Sequence, residues 1–377
     1  MTANTLQSTP SAHHRFHLLD GMRGIAAILV VCWHAPSYLF AHGTHSNFLA
    51  VDFFFCLSGF IISFAYESRL RESLSFGRFV AARLIRLYPL FLLAALIYLP
   101  FFLYTEPHRA RHLTAPVHLG FFVIAQLLMV PNLGLWKSIK LYPILLPAWS
   151  LFFELLANFA LGFLLKIRAA NRKQIASLYL VALAAMIYWA HVHHGIDVGW
   201  QSNHKDFFAT IARVTLSFTA GILAYRIFLM QSVRHFTPRT SAVFAVVLVA
   251  TLLLMLLTPF LWMTTTRYQL VALGLGFPAV VSLGALCRVP KVWHRGCEFL
   301  GDTSYPVYLL HYCILAPILI WPLKTQFLIH PAAAPMLMSA LVLIVLCVAY
   351  LVQRHFETPV RKYLTQLSNQ SLSAQNT

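Results

Sequence analysis

Long apolar runs fill the chain. Stretches of about 20 mostly apolar residues, the length a helix needs to cross the roughly 30 Å hydrocarbon core of a bilayer, cover about 18–41, 48–66, 85–104, 148–166, 175–191, 207–229, 241–262, 269–288, 303–322 and 335–353. The pattern predicts an all-α fold, a polytopic membrane protein with about ten transmembrane helices in one bundle. An eleventh apolar stretch near 118–131 is shorter and ends at Pro131; it is expected to be a re-entrant or interfacial segment. The polar ends, 1–14 and 364–377, are expected to be disordered cytoplasmic tails flanking a membrane domain over 15–363. The first apolar run is too long for a signal-peptide core and carries Asp20 and Arg23, so it reads as a span rather than a cleaved leader.

Composition agrees. Hydrophobic residues make up 59% and charged residues 10% of 377, with a mean hydropathy of +0.71, which excludes a soluble enzyme, a disordered chain and a fibrous repeat. The net charge of +17 would suit a nucleic-acid partner only on a solvated basic face, and here the charges lie between apolar runs. Their distribution instead sets topology. With ten spans and a cytoplasmic N-terminus, twenty of the 28 basic residues fall on the cytoplasmic side and seven on the outer side, with Arg213 inside a span. Counting 118–131 as a crossing puts Lys166, Arg168, Arg172 and Lys173 outside and destroys the asymmetry. The expected location is therefore the cell's inner membrane, multi-pass, with both termini cytoplasmic. The six cysteines show no metal-ligand or disulfide spacing.

Charges inside spans cost about 2.5–3.5 kcal/mol on insertion scales and usually mark function. Asp52 lies at the outer end of the second span, Glu154 about two turns into the span starting near 148, and His34 and His311 on the first and ninth spans. Arg23 and His34 are 11 residues apart on one helix, so they differ by roughly 20° in azimuth and about 16 Å in height. Both are expected to face one groove. The guanidinium at its foot suits a phosphate-bearing carrier, and the imidazole above it suits proton transfer. Arg83 and Arg86, three apart, share a helix face at the same lower end; simple positive-inside anchoring is the alternative for all three arginines. His311 reads as a site member or a bundle tether. His191, His193 and His194 with Asp197 and His204 are interfacial histidines rather than a metal centre, and no metal is expected.

These residues sit in ordered blocks that resemble the acyltransferase-3 family of integral-membrane O-acyltransferases. Leu19-Asp20-Gly21-Met22-Arg23 followed by His34 is similar to the family's Arg-x10-His element, Val51-Asp52-Phe53-Phe54-Phe55 to its second-helix block, and Arg83-Leu84-Ile85-Arg86 to its Arg-x-x-Arg block. Trp149-Ser150-Leu151 with Glu154, Ser304-Tyr305-Pro306 through His311, and Phe356-Glu357-Thr358-Pro359 complete six blocks in order. The chain departs from the family after Glu154, where Leu155, Leu156 and Ala157 replace further acidic and aromatic residues, and it leaves no room for the esterase-like domain fused to some members.

The resemblance implies transfer of an acyl group, acetyl in particular, from cytoplasmic acyl-CoA to a hydroxyl of a glycan or related acceptor on the outer side. Acyl-CoA is then a co-substrate; no permanently bound cofactor and no nucleic acid are expected, and the remaining partner is the lipid bilayer. On this reading Arg23, Arg83 and Arg86 bind the donor. His34 acts as general base or takes the acyl group itself, Asp52 and Glu154 orient or charge-stabilise its imidazole, and Ser150, Tyr305 and His311 are further candidates. The rival reading is a transporter or flippase for a glycan or lipid-linked substrate, for which ten spans with buried charges are also suited, although no inverted repeat is visible. A receptor or scaffold without chemistry is a third.

Overall fold

The computed structural model describes residues 15–35, 46–105, 116–133, 138, 140–230, 238–257, 265–325 and 333–373. The order is α1 His17–His34, a short 3-10 turn Asn47–Leu49, α2 Ala50–Glu72, α3 Phe76–Thr105, α4 Pro116–Leu127, α5 Ala148–Lys166, α6 Arg172–His193 and α7 His204–Met230. There follow α8 Pro238–Leu257, α9 Thr265–Leu286 with a π-helical bulge at Ala272–Gly276, α10 Lys291–Thr325, α11 Ala334–Val352 and α12 Thr358–Ser373. A second π-turn, Gln353–Glu357, joins the last two. Among the described residues there is no strand, only an isolated antiparallel bridge between Lys140 and Gln201.

Each of the ten expected spans coincides with a helix over its described residues, and 36–41 and 258–262 of the first and seventh lie outside them. Eight helical stretches among the described residues are long and apolar enough to cross a membrane. The two expected spans outside that set are α1 and α10, the pair that carries Arg23, His34, Ser304 and His311. Their polar residues are what holds them together.

The stretch near 118–131 forms α4, 12 residues long, about 18 Å against the roughly 30 Å of a hydrocarbon core. Helix directions confirm that it does not count as a crossing. Ser58 meets Glu154 and, further along both helices, the Leu70 carbonyl meets Lys166, so α2 and α5 run parallel. Cys56 faces Gly221 and Asp52 faces Arg213, so α2 and α7 are parallel as well. Had the α4 segment inverted the chain, α2 and α5 would be antiparallel. α1 and α10 also run parallel, in contact from Gly21–Cys297 to His34–His311.

Glycine permits two of these approaches. A Cβ on Gly24 would collide with the backbone of Leu300, and one on Gly221 with the carbonyl of Cys56. Close backbones are the usual route to helix association where lipid removes the hydrophobic drive. The core between them is aromatic, with Phe53, Phe55, Phe60, Phe91 and Phe277 all buried.

The C-terminal expectation needs correction. The segment assigned as tail from 364 remains helical to Ser373. Val360, Tyr363, Leu364 and Leu367 recur at i, i+3, i+4 and i+7, an amphipathic stripe hidden by the polar composition. Residues 1–14 and 374–377 lie outside the described residues.

Candidate functional site

The seam between α1 and α10 fixes the first pair. Arg23 Nε donates to Ser304 Oγ at 2.9 Å and Nη2 to the Gly301 carbonyl at 2.6 Å. Asp20, one turn earlier, lies 3.2 Å from Arg23 Nη2 and is itself held at 2.7 Å by Arg15, which also reaches Asp302 at 2.7 Å. The guanidinium is thus oriented by charge-assisted bonds on one side and still lines a cavity on the other.

At the far end of the same seam two imidazoles meet. His311 Nε2 lies 3.3 Å from His34 Nδ1, with the rings 4.9 Å apart. The neighbours assign the tautomers. His311 Nδ1 faces the Val307 carbonyl at 3.2 Å and His34 Nδ1 faces the Val30 carbonyl at 3.0 Å. A carbonyl only accepts, so in the neutral rings both Nδ1 atoms carry hydrogen. On that tautomer the one His34 Nδ1–H is shared between the Val30 carbonyl and His311 Nε2. The equal azimuth read from the sequence is realised, since Arg23 and His34 both face α10. Tyr312 packs edge-on to His34 at 6.4 Å, and its hydroxyl accepts from Lys140 Nζ at 3.4 Å.

Between these levels lies a cavity of about 220 Å³ walled by α1, α2, α3, α5 and α10. It gathers Arg23, Arg83, Arg86, Ser150, Glu154 and Tyr305 from four helices far apart in sequence. Glu154 accepts from Ser58 Oγ at 2.9 Å and pairs with Arg83 at 3.4 Å. Arg86 is ion-paired with Glu357 and sits 5.7 Å over the Tyr305 ring; the Tyr305 hydroxyl donates to the Leu87 carbonyl. Ser150 and Tyr308 share a short hydrogen bond at the cavity wall. Tyr308 links the levels, because it lines the cavity and its ring lies 6.1 Å from His311. A second, wider cavity of about 550 Å³ opens at the Arg15 end and is lined by Arg15, Tyr66, Arg69 and Glu72; Arg23 stands in the wall common to both.

Two expectations change. Asp52 does not orient His34. Its carboxylate is gripped by Arg213 through Nε at 3.0 Å and Nη2 at 2.6 Å and by Ser217 at 3.1 Å. Glu154 likewise serves Arg83 and Ser58 inside the cavity rather than the imidazole. The ring that touches His34 is His311. A carboxylate two turns away on another helix can share a height with His34 and still point elsewhere, which spacing alone does not reveal. Sequence reasoning passed over Ser58, Ser304, Tyr308, Tyr312, Lys140 and Glu357. Three of these stood inside quoted blocks, where alternating small hydroxyls and aromatics gave the only signal. Among the described residues no group of three metal-ligating side chains gathers to hold an ion.

Comparison with known proteins places this arrangement. A family model described as an acyltransferase domain matches residues 16–354. The O-acetyltransferase OatA of Staphylococcus aureus is 23% identical over 91% of this chain and 57% of its own length. The peptidoglycan O-acetyltransferase OatA of Listeria monocytogenes is 24% identical over 91% of this chain and 55% of its own. The chain therefore spans a little over half the length of these relatives. "Protein 2 in picA locus" of Rhizobium radiobacter is 40% identical over 40% of this chain and 82% of its own length. No solved structure matches the chain. With the family model covering nearly all of the described bundle, and the Arg23–His34 seam and the arginine-lined cavity at its centre, the chain belongs to the acyltransferase-3 family of membrane proteins.

Proposed function

We propose that the protein is an O-acyltransferase that moves an acyl group, acetyl by analogy with its relatives, from acyl-CoA at the cytoplasmic face to a hydroxyl of an envelope glycan at the outer face. The observation that carries the reading is the His34–His311 contact at 3.3 Å, with His34 Nδ1 also 3.0 Å from the Val30 carbonyl, which holds the imidazole in one orientation. A base so fixed needs no reorganisation to remove a proton.

The donor's phosphates fit the wide cavity at the Arg15 end, where Arg15, Arg69 and Arg23 converge, and the arm that carries the thioester fits the inner cavity past Arg23, Arg83 and Arg86. Three guanidiniums line it, each ion-paired with Asp20, Glu154 or Glu357, and their remaining N–H groups can donate to an anionic occupant. In the reaction the acceptor O–H gives its proton to His34 Nε2 as the oxygen attacks the thioester carbonyl. The C–O bond forms, the C–S bond breaks, and the CoA sulfur leaves as thiol after taking the proton back from the imidazole. A thioester is already activated, so positioning and one proton transfer supply most of the acceleration. Ser150 and Tyr308, at the cavity wall, are placed to donate to the developing oxyanion.

The test is acceptor-dependent release of CoA by the purified protein in lipid nanodiscs. The wild type is expected to release CoA, and His34→Ala and Arg23→Ala are expected to remain folded and inactive. Parental turnover by His34→Ala overturns the assignment. Movement of a glycan across the bilayer without CoA release would favour the transporter reading.

A further inference from the structure

We propose that a pocket at the His34 end of the bundle, between the end of α6 and the start of α7, is a saccharide subsite that holds the acceptor glycan to one side of the reacting hydroxyl. This rests on the acyltransfer reading and adds the chemistry of acceptor recognition to it.

The pocket has a volume of about 320 Å³, at the lower end of the roughly 300–1,000 Å³ typical of small-ligand sites. Trp189, His193, Asp197, Gln201, Asn203 and Lys205 line it. Its loop is built before any ligand arrives. Asp206 accepts from the backbone of Gly199 at 2.8 Å and Gln201 at 3.3 Å, and the buried Arg213 donates to the Val198 carbonyl at 2.8 Å. Pre-ordering of this kind lowers the entropic cost of binding.

The lining selects among ligands. Trp189 and His193 stack at 3.9 Å and offer a flat apolar surface to the C–H face of a pyranose ring. The Asp197 carboxylate is 49% exposed and can accept from vicinal hydroxyls. The Gln201 and Asn203 amides are bonded to each other at 3.0 Å and Asn203 Oδ1 accepts from Asp206 N at 2.8 Å, which leaves the Gln201 amide N–H groups as donors to a hydroxyl. Asp197 and Asp206 offset Lys205 and the neighbouring Arg213, so the lining does not favour a phosphate, and the ligand sets needed for a metal are missing among the described residues.

Position argues for an acceptor rather than an unrelated sugar. The loop is one hydrogen-bonded cap with the segment before α5: Leu141 N donates to the Trp200 carbonyl at 2.7 Å, and Lys140 bridges Gln201. The same Lys140 reaches Tyr312 beside His34. A chain of sugar rings can therefore rest in the pocket while a neighbouring unit presents its hydroxyl to the imidazole.

The experiment is saturation-transfer NMR on the full chain in nanodiscs, with chitotriose, cellotriose and maltotriose as probes. Transfer to the ring protons of at least one trisaccharide is expected. It should fall at least fivefold in Trp189→Leu and in Gln201→Ala, whose melting temperatures are measured in parallel, and persist in His34→Ala. No transfer to any of the three overturns the proposal, as does undiminished transfer in both pocket variants. Loss of transfer on adding a chelator to the wild type also overturns it, because a metal site would then be responsible. Binding and CoA release are read separately. CoA release without trisaccharide binding sinks the subsite alone, whereas binding without CoA release sinks the acyltransfer reading alone.

Discussion

The Asp52 carboxylate faces two guanidinium nitrogens and a serine hydroxyl, and neither member of the pair has water to fall back on: Arg213 is 1% and Asp52 0% exposed. Removing one partner of such a pair leaves an uncompensated buried charge and costs about 3–5 kcal/mol. Asp52→Ala is therefore expected to lower the melting temperature and the yield of folded protein, and Asp52→Ala with Arg213→Met to recover a large part of that loss. Thermal unfolding in nanodiscs checks this; a stable but inactive Asp52→Ala would return the residue to the chemistry. His311 is a different case. It is fully buried and, in the proposed mechanism, acts through His34 as a positioning residue. His311→Leu removes the side chain that meets His34 Nδ1, and a roughly 10–100-fold fall in kcat is expected, reaching the lower edge of the about 10²–10⁴-fold that a positioned acid–base group supplies. His311→Gln, whose amide oxygen can accept the same hydrogen, should restore most of it, with KM for acyl-CoA unchanged in both. Equal activity of the Leu and Gln variants would remove the dyad from the mechanism.

At the scale of elements, the α1–α10 seam decides where Arg23, Ser304, His34 and His311 stand. Gly24, next to Arg23, lies against the Leu300 backbone, one turn before Ser304 on α10. A side chain at this point meets main chain rather than a movable rotamer. Gly24→Leu is expected to cost about 1–3 kcal/mol through overpacking and to abolish turnover by prising Arg23 from Ser304, while Gly77→Leu, at a site with nothing nearby, leaves both stability and rate unchanged. Parallel melting and CoA-release assays read this, and an active Gly24→Leu would show that the seam tolerates separation. The seam was legible in the sequence as far as one helix goes, because the 11-residue spacing of Arg23 and His34 fixes their common face whatever packs on it. What packs on it was not legible. From the sequence Asp52 reads as orienting the His34 imidazole and His311 as a further candidate or a bundle tether, and only the relative rotation of α10 and α2 makes His311 the partner of His34 and Asp52 the partner of Arg213. The C-terminal α12 was lost for another reason, since its stripe of four apolar residues sits in a polar background and carries too little hydrophobicity to register as an element.

For the molecule as a whole, the direction of every helix follows from which pairs run parallel, and the membrane sides follow from that. The turn after α2 and the turn after α5 lie at one end, where Lys166 Nζ donates to the Leu70 and Leu74 carbonyls and Arg71 to the Ala170 carbonyl. Arg15, Arg69 and Arg226 stand at that end too, and Arg226 pairs with Glu67 at 2.6 Å. The positive-inside rule predicts the cytoplasm for this end, and on that prediction the His34 end, with the Lys140–Gln201 cap, faces outward. Single-cysteine labelling in intact bacterial cells with a membrane-impermeant maleimide tests both the parity and the sign. Ser202→Cys, in the cap, is expected to react, and Ser75→Cys and Asn171→Cys, in the two basic turns, only after the cells are opened. Reaction of Ser75→Cys and Asn171→Cys from opposite sides would mean that the α4 segment crosses after all and that α2 and α5 are not parallel. Reaction of both from outside would keep the fold and invert the protein, and the arginine-lined cavity would then open away from the compartment that supplies acyl-CoA.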